Sequence, residues 1–275
     1  MVISSQRTLY NVDLHLSMLL GRDYMTKPNT TLNEKFDVLA DVNVPEGMYP
    51  KLQYYCIGIG GDQLSESVSG FPVSEHSPMD AALFEQIPFV IRPIQQDLTP
   101  TERANYRFRV IETIKNETYV CYYLKVIPGY TLRDDFYKVT TVNGLSTLKL
   151  MDTDNPEFLN PVPRNRRLNY DNMNTTEFIT KIAKLEFNLM HNDIKELENV
   201  LNILGKDGRQ LTEIGVCTGI DNIIDGNVEA SSVQIAFHLG VNLDLVQSIN
   251  VDNNIIRVIE IGGSEGLTFG NPKNG

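Results

Sequence analysis

The densest run of strand-forming residues in the chain is RANYRFRVIETIKNETYVCYYLKVI, from Arg103 to Ile127. Tyr, Phe, Val, Ile and Thr fill it, and neither Gly nor Pro interrupts it. A polar break at Lys115-Asn116-Glu117 divides it into two arms. In the first arm Tyr106, Phe108 and Val110 alternate with Arg107 and Arg109, the period of two that buries one face of a strand. In the second, Thr118 to Ile127 is apolar at nearly every position, as in a strand covered on both faces. The pattern predicts an antiparallel hairpin over about 103–127 with a short polar loop at Asn116.

Elsewhere the period changes. Leu9, Val12, Leu16, Leu19 and Leu20 follow helical spacing and predict an inward-facing helix over 9–20, stopped by Gly21. Thr31 and Glu34 are placed as a capping box for a second short helix, Leu32 to Ala40. Tyr49 to Gly61 reads as a strand ending in glycines that need positive φ. Ser77-Pro78 resembles an N-cap with Pro at the first helical position and predicts a helix to about Gln86. Thr99-Pro100-Thr101-Glu102 repeats the device as one helical turn. Asn143-Gly144, between apolar runs, predicts the turn of a hairpin over Phe136–Leu150.

In the second half Phe178, Ile182, Leu185 and Leu189 form a helical stripe behind the N-terminal signature of Asn174 and Glu177. Ile194, Leu197, Leu201 and Leu204 continue it after a break near His191, and Gly205 caps it. Strands are expected near Ile214–Cys217, Ser232–Leu239 and Ile255–Ile261, with a polar tail from Phe269. The sum is an α+β class: an antiparallel, β-rich mixed fold with a central hairpin at about 103–127 and a helical segment at about 175–204. Pro156, Pro161 and Pro163 punctuate a linker-like stretch, so the expected organisation is a β-rich domain over 1–150, an irregular segment over 151–172 and an α+β lobe over 173–275.

Composition narrows the classes of function. At 275 residues, with 41% hydrophobic and 21% charged residues, the chain can bury a full core. A formal net charge of -11 argues against a nucleic-acid-binding surface, which needs clustered Lys and Arg. Cys56, Cys121 and Cys217 stand in apolar surroundings with no C-x-x-C pair, as buried thiols of a reducing compartment do. The start lacks a signal-peptide pattern and no run approaches a membrane span, so synthesis and folding in a cytoplasm are expected.

Candidate chemistry is sparse. His15, His76, His191 and His238 are isolated in sequence. Asp13 and His15 would share a face only on a strand, and the segment reads as helical. Asp152-Thr153-Asp154-Asn155 begins like a calcium loop but has no Gly at the sixth position. The glycines at 58, 60 and 61 lack both the G-x-G-x-x-G spacing and a Walker lysine. No nucleophile elbow, zinc-protease helix or kinase set is present. The expectation is therefore no catalytic centre, no metal and no cofactor. The one basic patch is Arg164, Arg166 and Arg167, placed to reach carboxylates on an adjoining acidic subunit.

Several stretches together carry a resemblance. They are Tyr10-Asn11-Val12-Asp13, Pro28 to Phe36, Pro50-Lys51-Leu52-Gln53-Tyr54 leading to Gly58-Ile59-Gly60-Gly61, and Phe84-x-x-Ile87-Pro88-Phe89 followed by Asp97-Leu98, Arg103 and Tyr106. The chain resembles virion structural proteins of large contractile-tailed bacteriophages over about residues 8–127, with an echo at Arg257 to Gly263. The strand-then-glycine element is also similar to tail-fibre attachment domains, whose Gly-Asp-Gly corresponds here to Gly60-Gly61-Asp62 only in the order of small and acidic residues. The resemblance implies a non-enzymatic subunit of a tail, baseplate or neck, made in the host cytoplasm. Its expected partners are other virion proteins in a symmetric or multi-copy assembly, with no direct nucleic-acid or membrane contact. The competing expectation is a small-molecule or nucleotide-processing enzyme that uses the glycine loops, which a concave pocket of convergent polar groups would favour.

Overall fold

The structure is a computed structural model that describes residues 2–20, 23–24, 44, 48–60, 76–128, 130–142, 145–151, 175–224, 226–243 and 255–266. The chain is a β-rich α+β protein whose strands pair antiparallel in two sheets. It divides into two compact units, one of residues 1–128 and 188–257, the other of residues 129–187 and 258–275.

The first unit holds an eight-stranded sheet. Its strands are β1 (Val2–Arg7), β2 (Lys51–Gly58), β3 (Gln86–Ile87), β4 (Val90–Pro93), β5 (Tyr106–Ile114), β6 (Glu117–Val126), β10 (Leu211–Ile224) and β11 (Asn227–Leu243). The order runs β1-β11-β10-β2-β6-β4, with β3 on β2 and β5 on β6. Val120 to Leu124 of β6 and Leu211 to Ile220 of β10 are buried at every position, which requires cover on both faces. Tyr54, Cys56, Cys121, Leu124, Cys217 and Ile235 belong to one buried cluster of this core.

β5 and β6 pair across Lys115 and Asn116, both with positive φ, so a two-residue turn of the primed type sets the register Ile114 to Glu117. The simple alternation expected for β5 does not hold. Arg107 and Phe108 are both buried, while Tyr106 and Val110 are half-buried. Phe108 takes φ +54° inside the strand without shifting its register. A left-handed aromatic residue costs about 1–2 kcal/mol, and it turns two neighbouring side chains inward.

Helix α1 (Leu9–Leu20) lies where its spacing put it. Thr8 caps it, accepting from the Asn11 N–H at 3.3 Å and donating to the Ile235 carbonyl at 2.7 Å. Val12, however, is exposed, and Leu14, which the stripe did not include, is buried. The capping box at Thr99 and Glu102 is formed and opens α2 (Pro100–Arg103). The segment after Ser77 is no helix. Asp80 closes a turn on Ser77, and a buried carboxylate from β10 takes the N–H groups of Phe84 and Glu85 that a helix would use. Helix α3 (His191–Leu204) begins at His191, with Asp193 accepting from the Met190 N–H at 2.9 Å. It ends in a Schellman turn: Gly205 at φ +69° and Lys206 donating to Leu201 at 2.8 Å.

The second unit is a four-stranded sheet, ordered β12-β9-β7-β8 from β7 (Tyr130–Val142), β8 (Leu145–Leu150), β9 (Thr175–Leu189) and β12 (Ile255–Gly266). Val142 faces Leu145, so two residues connect β7 to β8. β9 corrects the helical reading of 175–204, which holds only from His191. Leu185, Phe187 and Leu189 alternate with Lys184, Glu186 and Asn188, and Thr175, Thr176, Ile179, Thr180 and Ile182 are β-branched. Pairing with β7 on both sides of an irregularity between Leu132 and Phe136 rewards that period of two, and the 3.6-residue coincidence of Phe178, Ile182, Leu185 and Leu189 is lost. The units also divide the chain differently from a cut at 151–172, because β10 and β11 pair with β2 and β1. The expected helix at 32–40, the segment 152–174 and the tail from Phe269 lie outside the described residues.

Leu124 is fully buried in the middle of β6. Leu124→Ala is expected to lower the unfolding free energy by about 2–5 kcal/mol in a denaturant titration. A loss below about 0.5 kcal/mol would mean the strand is not covered on both faces.

Candidate functional site

A single charged residue interrupts the buried run of β10. Glu213 is 1% exposed and pairs in register with Gly58 of β2. The strand alternation points its carboxylate over Gly58, where a Cβ would lie 2.8 Å from Oε1 and 2.7 Å from the Glu85 carbonyl. A Cβ on Gly60 would lie 2.5 Å from the Glu85 nitrogen. Neither glycine has positive φ, so these positions are small because Glu85 and the carboxylate press against them, not because a turn requires them.

Four donors converge on this carboxylate. Oε1 accepts from the N–H of Gly60 at 2.6 Å and of Glu85 at 3.3 Å. Oε2 accepts from the N–H of Phe84 at 2.7 Å and meets His76 Nε2 at 2.9 Å. Burial alone pushes the Glu213 carboxyl up, but His76 and the three backbone donors outweigh it and hold it below the ordinary range. It stays ionised in the interior because its partners replace water.

His76 is the centre of a second set of contacts. Its Nδ1 lies 3.1 Å from Asp80 Oδ2, so each ring nitrogen faces a carboxylate. Its ring is sandwiched between Phe84, at a centroid distance of 4.0 Å, and His238, at 3.9 Å, both nearly parallel. His238 donates from Nε2 to the Asp80 carbonyl at 3.0 Å, and its buried Nδ1 has no partner among the described residues. Burial, together with the neighbouring His76, pushes the His238 pKa down to about 4 against the pull of the Asp80 carbonyl and the carboxylates of Asp80 and Glu213. It is therefore neutral at pH 7.

Two more networks tie β5 to its neighbours. Arg107 binds Asp221 through Nε at 2.8 Å and a terminal nitrogen at 3.0 Å, and Tyr54 donates to the same carboxylate. Asp97 joins Arg103, Arg109 and Tyr122. Arg92 forks onto Glu196 at 2.5 and 2.6 Å and fastens β4 to α3. The thiols of Cys56 and Cys217 lie 3.8 Å apart in the core, and burial pushes the Cys121 thiol up to about 12 and raises Cys217 as well. Cys121 and Cys217 therefore remain protonated.

Chemically, the Glu213 cluster holds residues 76–85 against β2 and β10. Both nitrogens of His76 are engaged, and the carboxylate is saturated by donors. Among the described residues no group of three or more His, Cys, Asp and Glu is arranged to hold a metal ion. The structure brings together His76 and His238, which the sequence leaves 162 positions apart, with Asp80 and Glu213. It leaves His15 and Asp13 exposed on α1 and His191 at the start of α3. Arg164, Arg166 and Arg167 lie outside the described residues. The one legible signal was Glu213 itself, a lone charge in LTEIGVCTGI, which an apolar strand carries only when its partners are built in.

Residues 2–273 match the family of unknown function DUF7208, and the chain belongs to that family. No curated protein and no solved structure matches it.

Two shifted groups of this cluster contribute to the pH dependence of stability. A group whose folded pKa is depressed contributes stability above its unfolded pKa and loses it as pH falls toward the folded value. His238 therefore costs stability as pH falls from 6.5 to about 4, on the order of 3 kcal/mol. Glu213 adds its loss below the ordinary carboxylate range. In urea titrations His238→Phe, which keeps the stack but cannot titrate, is expected to flatten the profile between pH 6.5 and 4. An unchanged profile would place the acid sensitivity elsewhere. Glu213→Gln, which removes the charge from four donors, is expected to cost about 3–5 kcal/mol at pH 7.

Proposed function

We propose that the chain is a structural subunit of a tailed-bacteriophage virion, working in a tail, baseplate or neck through contacts with other virion proteins. The observation that carries this reading is β8. Among the described residues it is the last strand of its sheet, with every side chain exposed, and Leu145, Leu148 and Leu150 are 77%, 58% and 56% exposed. A strand edge bearing leucines is a template for another chain. Isolated subunits that work by docking present such edges.

The residues that carry the phage resemblance support the same reading from inside. Gly58, Gly60 and Phe84 build the Glu213 cluster, Asp97 and Arg103 form an ion pair, and Tyr54 is core. In this reading, what the chain has in common with virion proteins is its scaffold. The enzyme alternative loses its specific support at the same place, since Glu85 fills the space over Gly58 and Gly60 that a phosphate would need. In this reading the protein has no catalytic centre, and Arg164, Arg166 and Arg167 reach carboxylates on an adjoining subunit.

Mass spectrometry of purified particles is expected to find the chain as a stoichiometric component. Charge reversal at the three arginines is expected to reduce particle assembly and infectivity. Normal particles from that variant would remove the arginine contact and leave the structural role. Absence of the chain from particles, or turnover of a metabolite that one substitution abolishes, would remove the role.

A further inference from the structure

Cys56 and Cys217 are 161 positions apart in the chain and fully buried, yet their sulfurs lie 3.8 Å from each other. Cys56 stands on β2 and Cys217 on β10, two strands that pair antiparallel. Gly215 is directly opposite Cys56, so Cys217 is its diagonal neighbour on the same face. Both thiols reach the Gly215 carbonyl, at 3.6 and 3.5 Å. The glycine makes this approach possible. A Cβ at 215 would stand 2.7 Å from the Cys56 sulfur, and Gly215 has no positive φ that would require a glycine. The thiol occupies the space of the missing side chain.

The backbone supplies the rest of the travel. A disulfide holds its sulfurs about 2.05 Å apart, so the two must close by about 1.8 Å. Diagonal pairs stand wider than most bridged pairs, and a bridge there needs some movement of the main chain. Cys217 sits where this sheet has that freedom. The register slips against β11 between Val216 and Cys217, and against β2 between Cys217 and Thr218. A residue between two such irregularities is held less rigidly by its ladders than its neighbours are. The third thiol, Cys121, is opposite Ile91 and Val110, with no cysteine across from it.

We propose that Cys56 and Cys217 form a latent cross-link, closed into a disulfide by a peroxide once the chain has left a reducing compartment, which locks β2 to β10. One sulfur attacks a peroxide oxygen and becomes a sulfenic acid, its proton leaving in water. The second sulfur attacks the sulfenic sulfur, and the hydroxyl departs with the second thiol proton as water. Two thiols and one hydrogen peroxide give one disulfide and two waters; the sulfurs lose two electrons and the peroxide gains them. Burial keeps Cys217 protonated and excludes bulky thiols, so closure is slow and a small oxidant performs it. The same enclosure shields the finished bond from reduction. The timing rests on the virion reading, in which the chain passes from a reducing cytoplasm into a particle outside the cell.

Hydrogen peroxide on the folded full chain tests this, with thiols counted by alkylation in denaturant before and after. The reduced chain presents three thiols, and the oxidised chain is expected to present one and to have lost two hydrogens in mass. Proteolytic mapping without reductant is expected to find Cys56 joined to Cys217 and Cys121 free. The oxidised chain is expected to unfold at a higher urea concentration, because the bond joins residues 161 positions apart, and dithiothreitol to restore the original midpoint. Cys121→Ala is expected to keep both effects and Cys56→Ala to lose them. Mapping of the unaltered chain decides the matter if either variant fails to fold. Three free thiols after peroxide, a sulfinic acid in place of a bond, or a bond to Cys121 overturns the proposal. So does a bond that leaves the urea midpoint where it was. None of these results touches the virion role, which the particle assays decide.

Discussion

An ionised carboxylate sits in the interior of the larger sheet, and much of the first unit is arranged to keep it there. Removing Glu213 from water is tolerable only because three backbone N–H groups and His76 replace the solvent. That requirement fixes glycine at 58 and 60, where the chain must approach the carboxylate, and pulls residues 84 and 85 out of any helical pairing. It also sets His76 upright between Phe84 and His238, with Asp80 closing the turn behind it. One buried charge thus links β2, β10, β11 and a loop that no strand ladder would hold.

The same arrangement bears on function. The polar groups that converge in this unit are satisfied by one another: Glu213 with His76, Asp221 with Arg107, Asp97 with Arg103 and Arg109, Glu196 with Arg92. Among the described residues, exposed apolar side chains stand on β8 (Leu145, Leu148, Leu150) and beside the β10–β11 turn (Ile223, Val228), and also on α1 (Val12, Met18) and at Met79 and Phe84. No helix among the described residues is long and apolar enough to cross a membrane.

Much of the architecture is legible where local chemistry and tertiary pairing agree. The capping box at Thr99 and Glu102, the glycine after α3 and the apolar density of β6 and β10 need no distant partner to be recognised. The sequence misleads where a distant partner decides. β9 carries apolar residues at both periods, and only β7 selects the period of two. Ser77-Pro78 has helix-opening chemistry that Glu213, more than a hundred residues on, overrides. The candidate cluster was illegible for the same reason, since His76 and His238 meet only because β11 crosses beside β10. Glu213 alone carried a local signal, a lone charge in an apolar run, and a strand expected only from Ile214 leaves it out.

Native-state hydrogen exchange of the full chain at the amides of Gly60, Phe84 and Glu85 tests the role of the buried carboxylate most directly. If the carboxylate holds this region closed, those three amides exchange only on global unfolding, at the same free energy as the central amides of β10. Exchange of the three at much lower free energy, while β10 stays protected, would contradict the account. It would mean that the cluster opens on its own and that its histidines and carboxylates are available to a ligand.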